Sequence, residues 1–229
     1  MKTFPRIIGS AGGMAACLAL SLSTTRAQNL IYDPGFELQL TAPNPNPTGV
    51  PGWATFNGAN FSQTYAHSGS WSMYTPNGGG GYSVPGAYEV FAASPGETFT
   101  LSGWVYTPNV LATGGNDFAI LQLSPFEGAP PNNYGGTASG PAVGVDVGSP
   151  AGTPPPSTVP LPQGVWTYAS VTTTMPALTQ SLGAYLLDIN ADAHADFYFD
   201  DISLTVVPEP ASFALLALGL PLLLIRRRK

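Results

Sequence analysis

The clearest periodicity along the chain has a repeat of two. From residue 98 to 106 the run Thr-Phe-Thr-Leu-Ser-Gly-Trp-Val-Tyr alternates, so Phe99, Leu101 and Val105 share one face while Trp104 and Tyr106 fall on the other. It follows the turn signal Ser94-Pro95-Gly96 and predicts a strand. Segments 71–74, 88–92, 118–123, 166–173, 182–190 and 197–206 read the same way, each bounded by Gly, Pro, Asn or Ser. Seven or more short strands predict an all-β sandwich. The stretches between them, 41–51, 77–81, 125–141 and 148–162, are rich in Pro and Gly and read as loops, and no helix is predicted from 28 to 206.

The two ends follow a different pattern. Lys2 and Arg6 precede an interrupted apolar run over 7–22, and Thr25-Arg26-Ala27 provides small residues at the positions a signal peptidase reads, so 1–27 is expected to be a cleaved signal peptide. An uncleaved anchor is the alternative, disfavoured because Gly9, Ser10, Gly12 and Gly13 dilute the run. At the other end, Val207-Pro208-Glu209-Pro210 leads into the uncharged segment 211–225 and then Arg226, Arg227, Arg228 and Lys229. Fifteen helical residues span roughly 22 Å, short of a hydrocarbon core of about 30 Å, so 211–225 is expected to form a short transmembrane helix with its basic stop on the cytoplasmic side. The central 179 residues, 28–206, then form one exported domain.

Charge sharpens this division. All seven Lys and Arg lie in the end segments, and 28–206 carries twelve acids with no basic side chain except two histidines. A surface without cations cannot release counterions from a phosphate backbone, which excludes nucleic acid as a partner. Nor can any acid in the domain pair with Lys or Arg, so a buried one needs backbone donors, a proton or a metal. The single cysteine, Cys17, lies in the signal segment, so disulfides are excluded from the mature domain.

The order Pro208-Glu209-Pro210, apolar run and arginine cluster resembles the PEP-CTERM sorting signal of exported proteins in Gram-negative bacteria that make exopolysaccharide. That resemblance implies handling by an exosortase, with Val207 to Pro210 as the recognition motif, a transient hold on the inner membrane, and delivery to the cell surface or extracellular matrix. In the domain itself, Asn29-Leu30-Ile31-Tyr32-Asp33-Pro34-Gly35-Phe36-Glu37, Gly52-Trp53, His67-Ser68-Gly69-Ser70-Trp71-Ser72-Met73, residues 95–106, 166–171 and Phe197-Tyr198-Phe199-Asp200-Asp201-Ile202-Ser203-Leu204 follow an order that resembles carbohydrate-binding modules with a galactose-binding-like jelly roll. The first of these segments is expected to be the first strand and the last the closing strand.

Asp200 and Asp201 interrupt an apolar strand, and strict alternation sends them to opposite faces, at least one of them inward. Calcium, which takes six to eight oxygens, is one way to compensate an inward carboxylate; solvation or capping by backbone amides is the other. The family resemblance implies a structural calcium here, carried onto Glu37 and Asp201 with oxygens near Ser68 and Ser70, and more weakly onto Asp33 and Asp200. A sugar-binding domain presents flat aromatic rings, and Trp53, Tyr82, Trp104, Tyr106 and Tyr134 are the candidates, each with packing as the alternative role; Trp71 and Trp166 read as core. His67 and His194 fall in no catalytic or metal-ligating spacing, so the chain is expected not to be an enzyme. The expected role is noncatalytic association with extracellular polysaccharide, with a structural or adhesive surface protein and a glycan hydrolase as alternatives.

Overall fold

In the computed structural model, which describes residues 28–77, 82–111, 117–128, 136–148, 158–189 and 195–207, the two-residue alternation builds two sheets. The strands are β1 (Ala54–Phe56), β2 (Asn60–Ser62), β3 (Ser72–Thr75), β4 (Gly86–Ala92), β5 (Thr98–Tyr106), β6 (Phe118–Phe126), β7 (Val143–Val147), β8 (Thr158–Val159), β9 (Thr167–Thr174), β10 (Ser181–Ile189) and β11 (Phe197–Val206). One sheet has the order β1-β4-β10-β6-β7-β8 and the other β2-β3-β11-β5-β9. All pairings are antiparallel except β7 with β8. No helix occurs among the described residues, and the protein is an all-β jelly-roll sandwich.

The core lies between the sheets and is made by the inward half of each alternating strand. Phe99, Leu101 and Val105 of β5, Phe197, Phe199 and Leu204 of β11 and Met73 of β3 meet Leu121 and Leu123 of β6, Leu182 and Leu186 of β10 and Val145 and Val147 of β7. At Gly103 a β-carbon would crowd the tip of the Ile202 side chain, so the glycine lets that side chain lie against β5.

A second, smaller core covers the outward face of the six-stranded sheet. Tyr88 and Tyr185 stack at 5.0 Å among Ala54, Phe56, Val90 and Phe126. The 41–51 segment lies over them: Asn46 N donates to the Tyr88 hydroxyl at 2.9 Å, that hydroxyl donates to Asn44 Oδ1 at 3.0 Å, and Asn46 Nδ2 donates to Gly52 O at 3.0 Å. A buried phenol satisfied in this way can stay in the interior. Glu89, next along β4, falls on the inward side between Ala87 and Phe91 and is fully buried. Burial raises its pKa to about 8, aided by the charge of Asp33 and opposed by a hydrogen bond from Tyr32 N.

Several expectations are corrected here. Residues 29–31 form no strand and 32–37 form bends and turns instead of a first strand: Pro34 and Gly35 break the extended path, Phe36 has φ 59°, and the Asp33 carboxylate accepts from Leu38 N and Leu40 N. β6 runs through Pro125, predicted to lie in a loop; beyond the end of β7 the Pro125 carbonyl still accepts from Ser139 N, and Phe126 pairs with Ala138. β1, β2, β7 and β8 were not predicted. The signal segment and the tail, including Pro208, Glu209, Pro210, Arg226, Arg227 and Arg228, lie outside the described residues. Val207 is the last residue of the described chain and its N–H donates to Thr98 O.

Candidate functional site

The outward face of the five-stranded sheet has no covering core among the described residues. On β5 the outward residues are Thr98, Thr100, Ser102, Trp104 and Tyr106; antiparallel register sets the first four opposite Thr174, Thr172, Ser170 and Tyr168 of β9. Tyr106 meets Trp166, just before β9, at 5.2 Å between ring centroids. In the other direction Tyr106 lies opposite Tyr198 of β11, which lies opposite Tyr74 of β3. One end of the face is therefore aromatic and the other hydroxylated.

The aromatic end is continuous. Tyr74 stacks on Tyr198 at 5.0 Å, Tyr65 touches Tyr198 at 5.1 Å and Tyr106 at 4.7 Å, and Trp104 meets Tyr168 edge-on at 5.5 Å. His67 closes the band, stacked on Trp104 at 4.1 Å with 15° between planes and edge-on to Trp166 at 5.6 Å. Tyr168 is 52% exposed and Tyr65 36%, and Tyr74, Trp104, Tyr106 and Trp166 are half-buried. Rings of this kind offer an apolar face together with a polar rim. Tyr74 donates its hydroxyl to Asp196 Oδ1 at 2.9 Å. Burial, joined by the negative charge of Asp196, pushes Tyr198 up to about 12, so these phenols stay protonated donors at neutral pH.

Tyr65 and His67 come from the segment between β2 and β3, and three carboxylates fix its path. Glu37 Oε1 accepts from Ser70 N at 2.7 Å and Trp71 N at 2.9 Å. Asp200 Oδ2 accepts from His67 N at 2.7 Å and Ser68 N at 3.1 Å, and its Oδ1 from Asp201 N at 2.7 Å. Asp201 accepts from Ser68 Oγ at 2.7 Å and lies 2.6 Å from His67 Nδ1. Gly69, at φ +60°, leaves room for Glu37, whose carboxylate a β-carbon there would strike. The two aspartates do not point to opposite faces, because the β11–β5 register shifts between Asp200 and Ser203 and Asp201 takes φ 49°. This bulge turns both carboxylates toward the same segment. Asp200 is fully buried, and burial raises its pKa to about 6, with its three amide donors opposing the rise.

The four residues expected to surround calcium, Glu37, Asp201, Ser68 and Ser70, are thus brought together, and a β-carbon on Gly35 would lie 3.8 Å from Asp200 Oδ1, Asp201 Oδ1 and Glu37 Cγ. The cluster suits a hard cation in kind, since its acidic and hydroxyl donors are all oxygen. Among the described residues no group of three His, Cys, Asp or Glu side chains is placed to hold a metal ion, so backbone carbonyls would have to supply most of such a shell.

Of the predicted aromatic contacts, Trp104 and Tyr106 sit in the band. Trp53 does not: it is fully buried, packs on Phe36 at 5.4 Å and donates Nε1–H to Asp33 O, and so belongs to the core. Tyr82 is 73% exposed with no ring contact among the described residues, and Tyr134 lies outside the described residues. Trp166, read as core, belongs to the band. Tyr65, His67, Tyr74, Tyr168 and Tyr198 were missed, although Tyr168 and Tyr198 lie on the outward period of strands that were predicted.

No protein-family model and no curated protein matches the sequence. Solved structures similar to the chain include TmCBM61 in complex with β-1,4-galactotriose, 14% identical over 79% of this chain and 100% of that one with a TM-score of 0.47. A family 16 carbohydrate-binding module is 19% identical over 77% and 99%, with a TM-score of 0.46. A cyclase from Fischerella sp. TAU is 16% identical over 79% and 97%, with a TM-score of 0.49.

Proposed function

We propose that the domain is a noncatalytic glycan-binding module, exported by its signal segment, handled by an exosortase through Val207 to Pro210 after a transient hold by the C-terminal helix, and released to associate with extracellular polysaccharide. The observation that carries the reading is the continuous aromatic band on the open sheet face, in a domain without Lys or Arg. Aromatic faces stack on the C–H faces of sugar rings, and phenol and indole rims donate to hydroxyls, so recognition needs no charge. The test is a glycan array probed with the full chain and with Tyr168→Ala and Trp104→Ala. Binding that both variants abolish supports the module, and no binding to any glycan favours a structural or adhesive role.

Calcium belongs to the same proposal, held by Glu37 and Asp201 with oxygens near Ser68 and Ser70. Bound there, it would neutralise the carboxylates that anchor the His67 segment; the gathering of these groups around Gly35 supports it. A ligand that binds only the native state raises its stability, so chelation should lower Tm; an unchanged Tm would remove calcium from the reading. The His67–Asp201 pair gives a hydrolytic reading its one observation. Turnover of a chromogenic glycoside, lost in His67→Ala, would replace the binding reading with it.

A further inference from the structure

The hydroxylated end of the open face has no role in the aromatic stacking just described. Thr98 Oγ1 lies 2.8 Å from Thr174 Oγ1 and Thr100 Oγ1 2.8 Å from Thr172 Oγ1, with Ser102 facing Ser170 beyond them. Thr205 and Ser203 of β11 continue two of these rows, opposite Thr100 and Ser102. The rows repeat at about 6.6 Å along the strands and about 4.8 Å between them. A hydroxyl carries one donor and two acceptor lone pairs. Each threonine pair uses one donor internally and leaves the other donor, with spare acceptors, for a ligand. Thr172, Thr174 and Ser170 are exposed.

Resting on the reading of this face as a glycan site, we propose that its ligand is an extended, uncharged polysaccharide laid along β5 and β9, with ring faces on Trp104, Tyr106 and Tyr168 and hydroxyls on the threonine and serine rows. From Thr98 to Tyr106 the strip runs about 26 Å, long enough for several consecutive sugar rings. Charge selects the class. A polyanionic chain would find no Lys or Arg in 28–206 to pair with its carboxylates or sulfates, and would meet the partly exposed Asp196 and Asp201 and the exposed Glu37 beside the band. A polyamine chain would need a carboxylate to receive its ammonium groups, but those beside the band are engaged. Asp196 accepts from Tyr74 Oη and Asn77 N, Asp201 holds His67 and Ser68, and Glu37 holds Ser70 N and Trp71 N. Hydroxyl rows next to aromatic rings match a ligand that has both apolar faces and neutral hydroxyls.

The experiment is calorimetric titration of the full chain with neutral polymers (β-glucan, xylan and galactan), their trisaccharides, polygalacturonate and chitosan. The wild-type chain should bind one neutral polymer at least about tenfold more tightly per chain than its trisaccharide, and neither charged polymer comparably. Thr100→Val with Thr172→Val keeps strand shape while removing the exposed hydroxyl pair of one row and leaving only Thr205 in it. It should erase the polymer's advantage, leave trisaccharide affinity unchanged and leave Tm near wild type. A variant that keeps the advantage, or equal binding of polygalacturonate or chitosan, overturns the proposal while the aromatic module stands. Loss of trisaccharide binding in Tyr168→Ala separates the two halves of the site, and a wild-type chain that binds no glycan overturns both readings.

Discussion

The two outward faces of the sandwich use similar residues and reach opposite ends. Over the six-stranded sheet, Tyr88 and Tyr185 stack and lie beneath the 41–51 segment, which supplies Asn44 and Asn46 to the Tyr88 hydroxyl. Over the five-stranded sheet, Tyr74, Tyr106 and Tyr168 also touch other rings, but the segment that approaches them adds two more rings and leaves Tyr168 half in solvent. Ring contacts therefore do not distinguish a core from a site. What distinguishes them is whether a neighbouring loop covers the rings, as 41–51 covers Tyr88 and Tyr185.

The largest expected effect tests this directly. Tyr88→Ala should cost about 3–5 kcal/mol in urea unfolding, the usual range for truncating a buried aromatic. Tyr168→Ala should cost no more than about 0.5 kcal/mol and abolish glycan binding. Equal costs would erase the difference between the faces.

Next is the pH response of the main core beneath the covered face. Glu89, raised to about 8 by burial, binds a proton in the folded state that the unfolded chain gives up near pH 4. Its contribution is complete below that pH and is lost as pH rises toward about 8, so Tm should fall from pH 5 to pH 8.5. Asp188, raised to about 9 mainly by burial, acts in the same direction. Glu89→Gln should flatten the slope; an unchanged slope would show that Glu89 is not its source.

On the open side, Gly69→Ala should cost about 1–3 kcal/mol, because it combines a left-handed backbone with a clash against Glu37. Near-UV circular dichroism should then report altered packing of His67 on Trp104, and an unperturbed spectrum would mean that the carboxylate anchors do not set the band. The smallest effect on the covered face is Tyr88→Phe, about 1 kcal/mol for the lost hydroxyl bonds. Chymotryptic cleavage should follow faster beside 41–51, after Leu40 or Trp53, than elsewhere.

Much of the fold was legible because long strands carry many repeats: 98–106 and 197–206 form with the bounds their alternation predicts. β1 and β2, with three residues each, carry too little period to read. The acid cluster was legible in membership but not in geometry, because a single inserted position at Asp201 reverses the alternation and no composition signal marks a bulge. Most of the aromatic band was hidden, in part for a related reason. Trp53 and Trp104 both follow a glycine, and only the tertiary path of 33–40 buries the first. Tyr65 and His67 reach the face from a loop, where no periodicity exists to assign a side.

The stacking of His67 on Trp104 also gives the molecule an optical property. An imidazole in contact with an indole quenches its emission, and the same ring touches Trp166 edge-on, whereas Trp53 is sealed in the core. Emission from two of the four tryptophans is therefore tied to one histidine. A sugar that displaces that ring would brighten the protein, so occupancy of the open face can be read without a label.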